Sequence, residues 1–151
     1  MFIISKLLLI SFYLIIIFQL LAVPTDAVRR CEKMRSLDLS GNRLTNFRHP
    51  NILPSLQQLN LSRCSLSQPS ALSFTNLSLL TSLDLSNNQL QSVPTTELAS
   101  LTSLRRLELS GNLFTSLAPH SFRELHRLQQ LYLTNCSQLR YLPGCQLSVS
   151  H

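Results

Sequence analysis

The chain has 151 residues, a length that fits one domain, and leucine fills 35 of them while tryptophan is absent and glycine appears three times. Such a bias toward one aliphatic residue points to a regular, repeated packing problem rather than an irregular core. The formal charge is +6, but its lysines and arginines are scattered singly or in pairs such as Arg29-Arg30 and Arg105-Arg106. This argues against the basic patch or stripe of a nucleic-acid reader.

The chain opens with Lys6 ahead of an apolar run, "LLLISFYLIIIFQLLA" (7–22), and a small-residue exit, "VPTDA" (23–27). With Thr25 and Ala27 at the −3 and −1 positions, residues 1–27 read as a secretory signal peptide. Cleavage after Ala27 leaves 151 − 27 = 124 residues, residues 28–151, and the charge stays at +6 because Lys6 and Asp26 leave together. The alternative is an uncleaved membrane anchor within residues 1–23, long enough to span a hydrocarbon core of ~30 Å. Arg29, Arg30, Lys33 and Arg35 would then outweigh Lys6 and hold the remainder in the cytosol. The expected location is secreted or extracellular, alternatively membrane-anchored.

After a short segment, 28–33, one phrase is written five times: "LDLSGNRL" at 37–44, "LNLSRCSL" at 59–66, "LDLSNNQL" at 83–90, "LELSGNLF" at 107–114, and a looser "LYLTNCSQL" at 131–139. The units start at Met34, Leu56, Leu80, Leu104 and Leu128, giving periods of 22, 24, 24 and 24 residues. Each reads apolar-x-x-Leu-x-Leu-x-x-Asn/Cys-x-apolar, and with five matches in register the chain resembles the leucine-rich repeat family, the 24-residue type of extracellular proteins. The resemblance covers residues 34–145: units 34–55, 56–79, 80–103, 104–127 and 128–145, followed by a tail, 146–151. It implies an α/β fold, mostly β and irregular: a solenoid whose curved parallel sheet of about five short strands lines the concave face.

Elementary chemistry accounts for the letters. Leu-x-Leu has the two-residue period of a strand, so Leu37 and Leu39 share one side and Asp38 takes the other. No single unit can bury its leucines, whereas stacked units bury them in one column. The slot filled by Asn42, Cys64, Asn88, Asn112 and Cys136 lies where the chain turns inward. An amide there can bond backbone groups that are costly when left unpaired, and cysteine is small enough to fit with fewer bonds. In the returning half, spacings of three, such as Phe122-x-x-Leu125-x-x-Leu128, suggest 3₁₀ turns on the convex side. The first unit, two residues short, should bend less regularly around "HPNILPSL" (49–56).

Letters between the leucines are free to face solvent, and function should be written there. Between the strand leucines stand Asp38, Asn60, Asp84, Glu108 and Tyr132; before them stand Ser36, Gln58, Ser82, Arg106 and Gln130, preceded by Arg35, Gln57, Thr81, Arg105 and Gln129. After the second leucine come Ser40, Ser62, Ser86, Ser110 and Thr134, then Gly41, Arg63, Asn87, Gly111 and Asn135. The hydroxyl column reads as structural. The protein-binding candidates are Arg35, Ser36, Asp38, Gln58, Asn60, Arg63, Asp84, Arg106, Glu108, Gln130 and Tyr132, since tyrosine and arginine dominate interface hot spots. The competing reading is a solvated, self-compensating charged face.

Three sequons, at Asn60, Asn76 and Asn135, are candidate N-glycosylation sites. Asn76 falls on the outer return path, while Asn60 falls on the concave face. Secreted relatives usually carry multi-cysteine caps, but here only Cys31 precedes and Cys145 follows the repeats. Four strand steps of ~4.8 Å separate the ends by ~19 Å, beyond the ~7 Å Cα limit of a disulfide. Cys64 and Cys136 lie three steps apart and fail likewise. Four thiols unpaired within the chain are therefore expected, two of them buried, with Cys31 or Cys145 able to pair between chains.

Nucleophile-elbow, His-Glu-x-x-His and phosphate-loop motifs are all missing, so an enzyme is not expected. His49, His120, His126 and His151 lie outside the strand phrases without a third ligand near them in sequence, so neither a metal nor another cofactor is implied. The resemblance implies a protein-protein interaction module binding a protein ligand through its concave face. The alternative is a membrane-anchored scaffold or a truncated receptor-like product without its own ligand.

Overall fold

The computed structural model describes residues 14–15, 33–44, 46–48 and 53–139. Most of the N-terminal apolar segment, Cys31, Cys145 and the tail lie outside the described residues. Six short strands form one parallel sheet in chain order: β1 (Leu14–Ile15), β2 (Ser36–Asp38), β3 (Gln58–Asn60), β4 (Ser82–Asp84), β5 (Arg106–Glu108) and β6 (Gln130–Tyr132). Five of these are the strands that the repeat pattern predicts, one per coil. The sixth, β1, comes from the N-terminal apolar segment and pairs with β2, Leu14 opposite Leu37 and Ile15 opposite Asp38.

The register is the one the repeat spacing requires. Leu37, Leu59, Leu83, Leu107 and Leu131 stand opposite one another from β2 to β6. Beyond the strands the ladder continues: the amides of Leu39, Leu61, Leu85 and Leu109 donate to the carbonyls of Asn60, Asp84, Glu108 and Tyr132 in the next coil, at 2.8–2.9 Å. Leu39, Leu61, Leu85 and Leu109 are all fully buried. Each such leucine contributes about 1.5–3 kcal/mol before conformational entropy is set against it. Phe47, Phe74 and Phe114 fill the wider, convex half of the core.

The returning half is built of turns. Pro69, whose fixed φ suits a helix start, opens a 3₁₀ turn over Pro69–Ala71. In coil three a single turn of α-helix, α1 (Thr95–Leu98), takes its place and buries Leu98. In coil one, Phe47 makes an isolated parallel bridge to Leu72 of coil two, with the Phe47 and Phe74 rings 6.0 Å apart.

Where each coil turns inward, the asparagine slot supplies the missing partners. Nδ2 of Asn88 donates to the Leu61 carbonyl of coil two at 2.8 Å and to the Leu85 carbonyl of its own coil at 2.9 Å. Its Oδ1 accepts the amides of Cys64 and Leu66, both at 3.0 Å. Asn112 repeats the arrangement one coil later, donating to Leu85 and Leu109 and accepting from Leu90. Cys64 contributes its thiol alone, to the Leu39 carbonyl at 3.2 Å. Cys136 makes only long contacts of 3.7–3.8 Å and is half-buried. The expectation of two buried thiols thus holds for Cys64 and fails for Cys136, because no described coil stacks beyond it.

Two outcomes follow. Asn88→Ala strands two amides and two carbonyls inside the stack, so it should cost roughly 2–5 kcal/mol, read as a lower urea midpoint. Burial pushes the Cys64 thiol up from about 9 to about 11. The folded state therefore holds its proton where the unfolded chain has lost it. That contribution to stability is complete below about pH 9 and lost as pH rises toward 11, a slope that Cys64→Ser should abolish in denaturation curves taken across that range.

Candidate protein-binding face

The strands bring the sequence columns into line. Asp38, Asn60, Asp84, Glu108 and Tyr132 are direct register neighbours across β2 to β6, as are Ser36, Gln58, Ser82, Arg106 and Gln130. At strand spacing of ~4.8 Å, the Asp84 and Glu108 side chains sit one step apart. A shallow, open hollow of about 280 Å³ crosses β2, β3 and β4, bordered by Asp38, Asn60, Asp84, Gln58, Ser82 and Arg106.

The acidic column has a structural task that sequence columns do not reveal. Oδ1 of Asp38 accepts the Ser40 amide at 2.8 Å, Oδ1 of Asn60 the Ser62 amide at 2.9 Å, Oδ1 of Asp84 the Ser86 amide at 2.8 Å, and Oε1 of Glu108 the Ser110 amide at 3.1 Å. Each side chain folds onto the amide two residues ahead, an Asx-type turn. Tyr132 cannot do this, and the Thr134 amide turns to the Ser110 hydroxyl at 3.0 Å instead. One oxygen of every carboxylate is thereby committed. The second oxygen of Asp38 accepts from Asn60 Nδ2 at 3.3 Å, and those of Asp84 and Glu108 have no partner among the described residues.

Arg106, in the adjoining column, is engaged elsewhere. The Arg106 guanidinium lies 4.5 Å from the centre of the Tyr132 ring and donates to the Tyr132 hydroxyl at 3.2 Å and to Gln130 Oε1 at 3.3 Å. A cation over an aromatic face is attractive by about 0.5–1 kcal/mol at an exposed site. The two residues stand in different columns, so the stack is a diagonal across neighbouring strands. The repeat columns put both residues on the face but keep them in separate columns.

Arg35 and Arg63 are exposed, and Arg63 belongs to a column with a different explanation. Gly41, Arg63, Asn87, Gly111 and Asn135 all have φ between 54° and 73°. This left-handed turn lets the amide of each of the first four reach the hydroxyl-column carbonyl of the next coil, at 2.8–3.0 Å. Glycine and asparagine tolerate that region best, which is why they fill four of the five positions. At Gly111 a side chain would also meet Asn87 Oδ1 at 2.6 Å. The Gly-x-Asn-Gly-Asn alternation was the available signal. The other candidates divide by location. Asn42, Cys64, Asn88 and Asn112 lie inside, Cys136 is half-buried, Asn60 is half-buried on the sheet, and Asn76 and Asn135 are exposed in turns.

A stack of parallel strands, one per two dozen residues, with an inward asparagine ladder defines a solenoid of the repeat-protein class. The chain belongs to the leucine-rich repeat family: the family profile "Leucine rich repeat" matches residues 54–114 and 78–137, and a second leucine-rich repeat profile matches residues 30–46. Among solved structures it is similar to InlP of Listeria monocytogenes, 34% identical with a TM-score of 0.58 over 68% of this chain and 28% of that one. It is also similar to a chain of the Toll–Spatzle complex of Drosophila, 25% identical with a TM-score of 0.69 over 78% of this chain and 16% of that one. The chain thus spans less than a third of the length of either structure. Among curated proteins no match was found. Families of this repeat are generally non-enzymatic interaction modules, and this chain is a protein-interaction repeat domain.

The left-handed column gives a direct test. Arg63→Gly removes a side chain from a conformation that costs an L-residue roughly 1–2 kcal/mol, and should raise the melting temperature by about 2–4 °C in a thermal unfolding scan.

Proposed function

We propose that the chain is the binding module of a secreted or cell-surface protein and takes a protein partner on its concave face. The observation that carries this reading is the separation of charge on that face. Arg106 is stacked on Tyr132, while Asp84 and Glu108 keep their outer oxygens open one and two strands from the hollow's centre. A self-compensating surface would have closed those charges on one another. Here a preorganised arginine-tyrosine pair sits beside open acceptors, the residue types and arrangement that anchor protein interfaces. Gln58, Gln130, Ser36 and Arg35 surround them with adaptable hydrogen-bonding groups. The similar Toll structure was solved in complex with Spatzle, described as a molecular hub in development and innate immunity. This supports a protein as the class of ligand.

A second reading draws on β1. Because Leu14–Ile15 pairs with β2, this reading has the N-terminal segment retained, serving the first coil as an added strand instead of leaving as a signal peptide. The N-terminal residue of the mature protein distinguishes the two: Val28 supports cleavage, Met1 supports retention.

The binding reading is tested with the full chain against a panel of displayed extracellular proteins. Any partner bound by the wild type should lose at least about 30-fold in affinity with Arg106→Ala, which corresponds to a hot-spot loss of ~2 kcal/mol. It should lose affinity similarly with Asp84→Lys and be unaffected by Arg123→Glu on the convex side. Equal binding by both concave variants, with loss on Arg123→Glu, would reverse the assignment of faces.

A further inference from the structure

We infer that the folded, exported chain carries an N-linked glycan on Asn76, where it covers Leu79, and leaves Asn60 bare. The inference rests on the secretory reading above, and it follows from how differently the fold treats two identical Asn-Leu-Ser sequons, 60–62 and 76–78.

At Asn76 the chain is in a left-handed turn, φ 67°, on the convex side. Leu77 is fully buried, whereas Asn76 and Ser78 on either side of it are exposed. The middle residue pins the sequon to the core while the acceptor faces solvent, so a glycan can stand there without moving the fold. Three residues further on is Leu79, half exposed and the large apolar side chain left open among the described residues. The apolar face of a sugar ring anchored at Asn76 is a natural cover for it, since removing such a surface from water is favourable at about 25 cal/mol per Å².

Asn60 has the opposite setting. It is half-buried in the middle of the concave sheet, with Asp38 and Asp84 as register neighbours on both sides. Both ends of its amide are held, Oδ1 by the Ser62 amide at 2.9 Å and Nδ2 by Asp38 at 3.3 Å. A sugar on Nδ2 would replace one of its two hydrogens and set a bulky ring between two carboxylate-bearing strands. It would also fill the hollow through which the face is read.

The test is secretion of the full chain from cultured cells, followed by enzymatic deglycosylation in heavy-oxygen water. This converts each occupied asparagine into a labelled aspartate, and peptide mapping reports the sites separately. The expected result is label at position 76 and none at position 60. Label at 60, or an unlabelled Asn76 in protein recovered from the medium, overturns the inference while leaving the secretory reading intact. Unglycosylated protein found only in the cytosol overturns both. For the cover over Leu79, Asn76→Gln should lower the soluble yield, and Leu79→Ser in the same chain should restore it. An undiminished yield from Asn76→Gln refutes that part.

Discussion

A coil of two dozen residues cannot satisfy itself. Its leucines share one side with nothing beneath them, and its inward turn leaves amides and carbonyls away from water, where an unpaired group costs about 1–3 kcal/mol. Both deficits are met only by the next coil. Leu61 packs in the same column as Leu39, and the Leu61 carbonyl finds its partner in Asn88, 27 residues later. Stability in such a stack is a sum of joints between neighbours, and each joint demands the same register. Alignment of the concave columns is therefore a by-product of burying leucine, and any chemistry displayed there inherits its spacing from the core.

That inheritance explains why single residues on the face do two things. Asp84 gives one oxygen to the Ser86 amide, which closes the turn after β4, and presents the other outward. Glu108 does the same with its longer side chain. The acidic identity of the column is thus partly a requirement of the backbone. The departures carry more information: Tyr132 abandons the turn-closing role, its coil borrows the Ser110 hydroxyl instead, and its ring becomes the platform for Arg106. Among the described residues, Tyr132 is the position of this column whose side chain is not spent on closing its own turn.

Much of this was legible in the sequence because periodicity encodes it directly. The leucine spacing yields the coils, the strands and the register, and the Asn/Cys slot yields the inner ladder. What stayed hidden depends on backbone conformation or on diagonal neighbours. Arg63 looked like a surface letter, yet its column is chosen by a left-handed φ. The Arg106–Tyr132 stack joins adjacent columns, which a column-by-column reading keeps apart. Cys136 has the same letter and slot as Cys64 but lacks a described coil above it, so identical sequence context produced different burial. The pairing of Leu14–Ile15 with β2 has no counterpart in the repeat pattern at all.

The bridge between Phe47 and Leu72 bears on how firmly the first joint of the stack is closed. Between the first two coils the returning side is also clasped: the Phe47 amide donates to the Ala71 carbonyl at 2.8 Å, and the Phe47 carbonyl accepts the Ser73 amide at 2.7 Å. With the β2–β3 ladder on the other side, these two coils are tied at both edges, and a local opening there has to break backbone bonds on both.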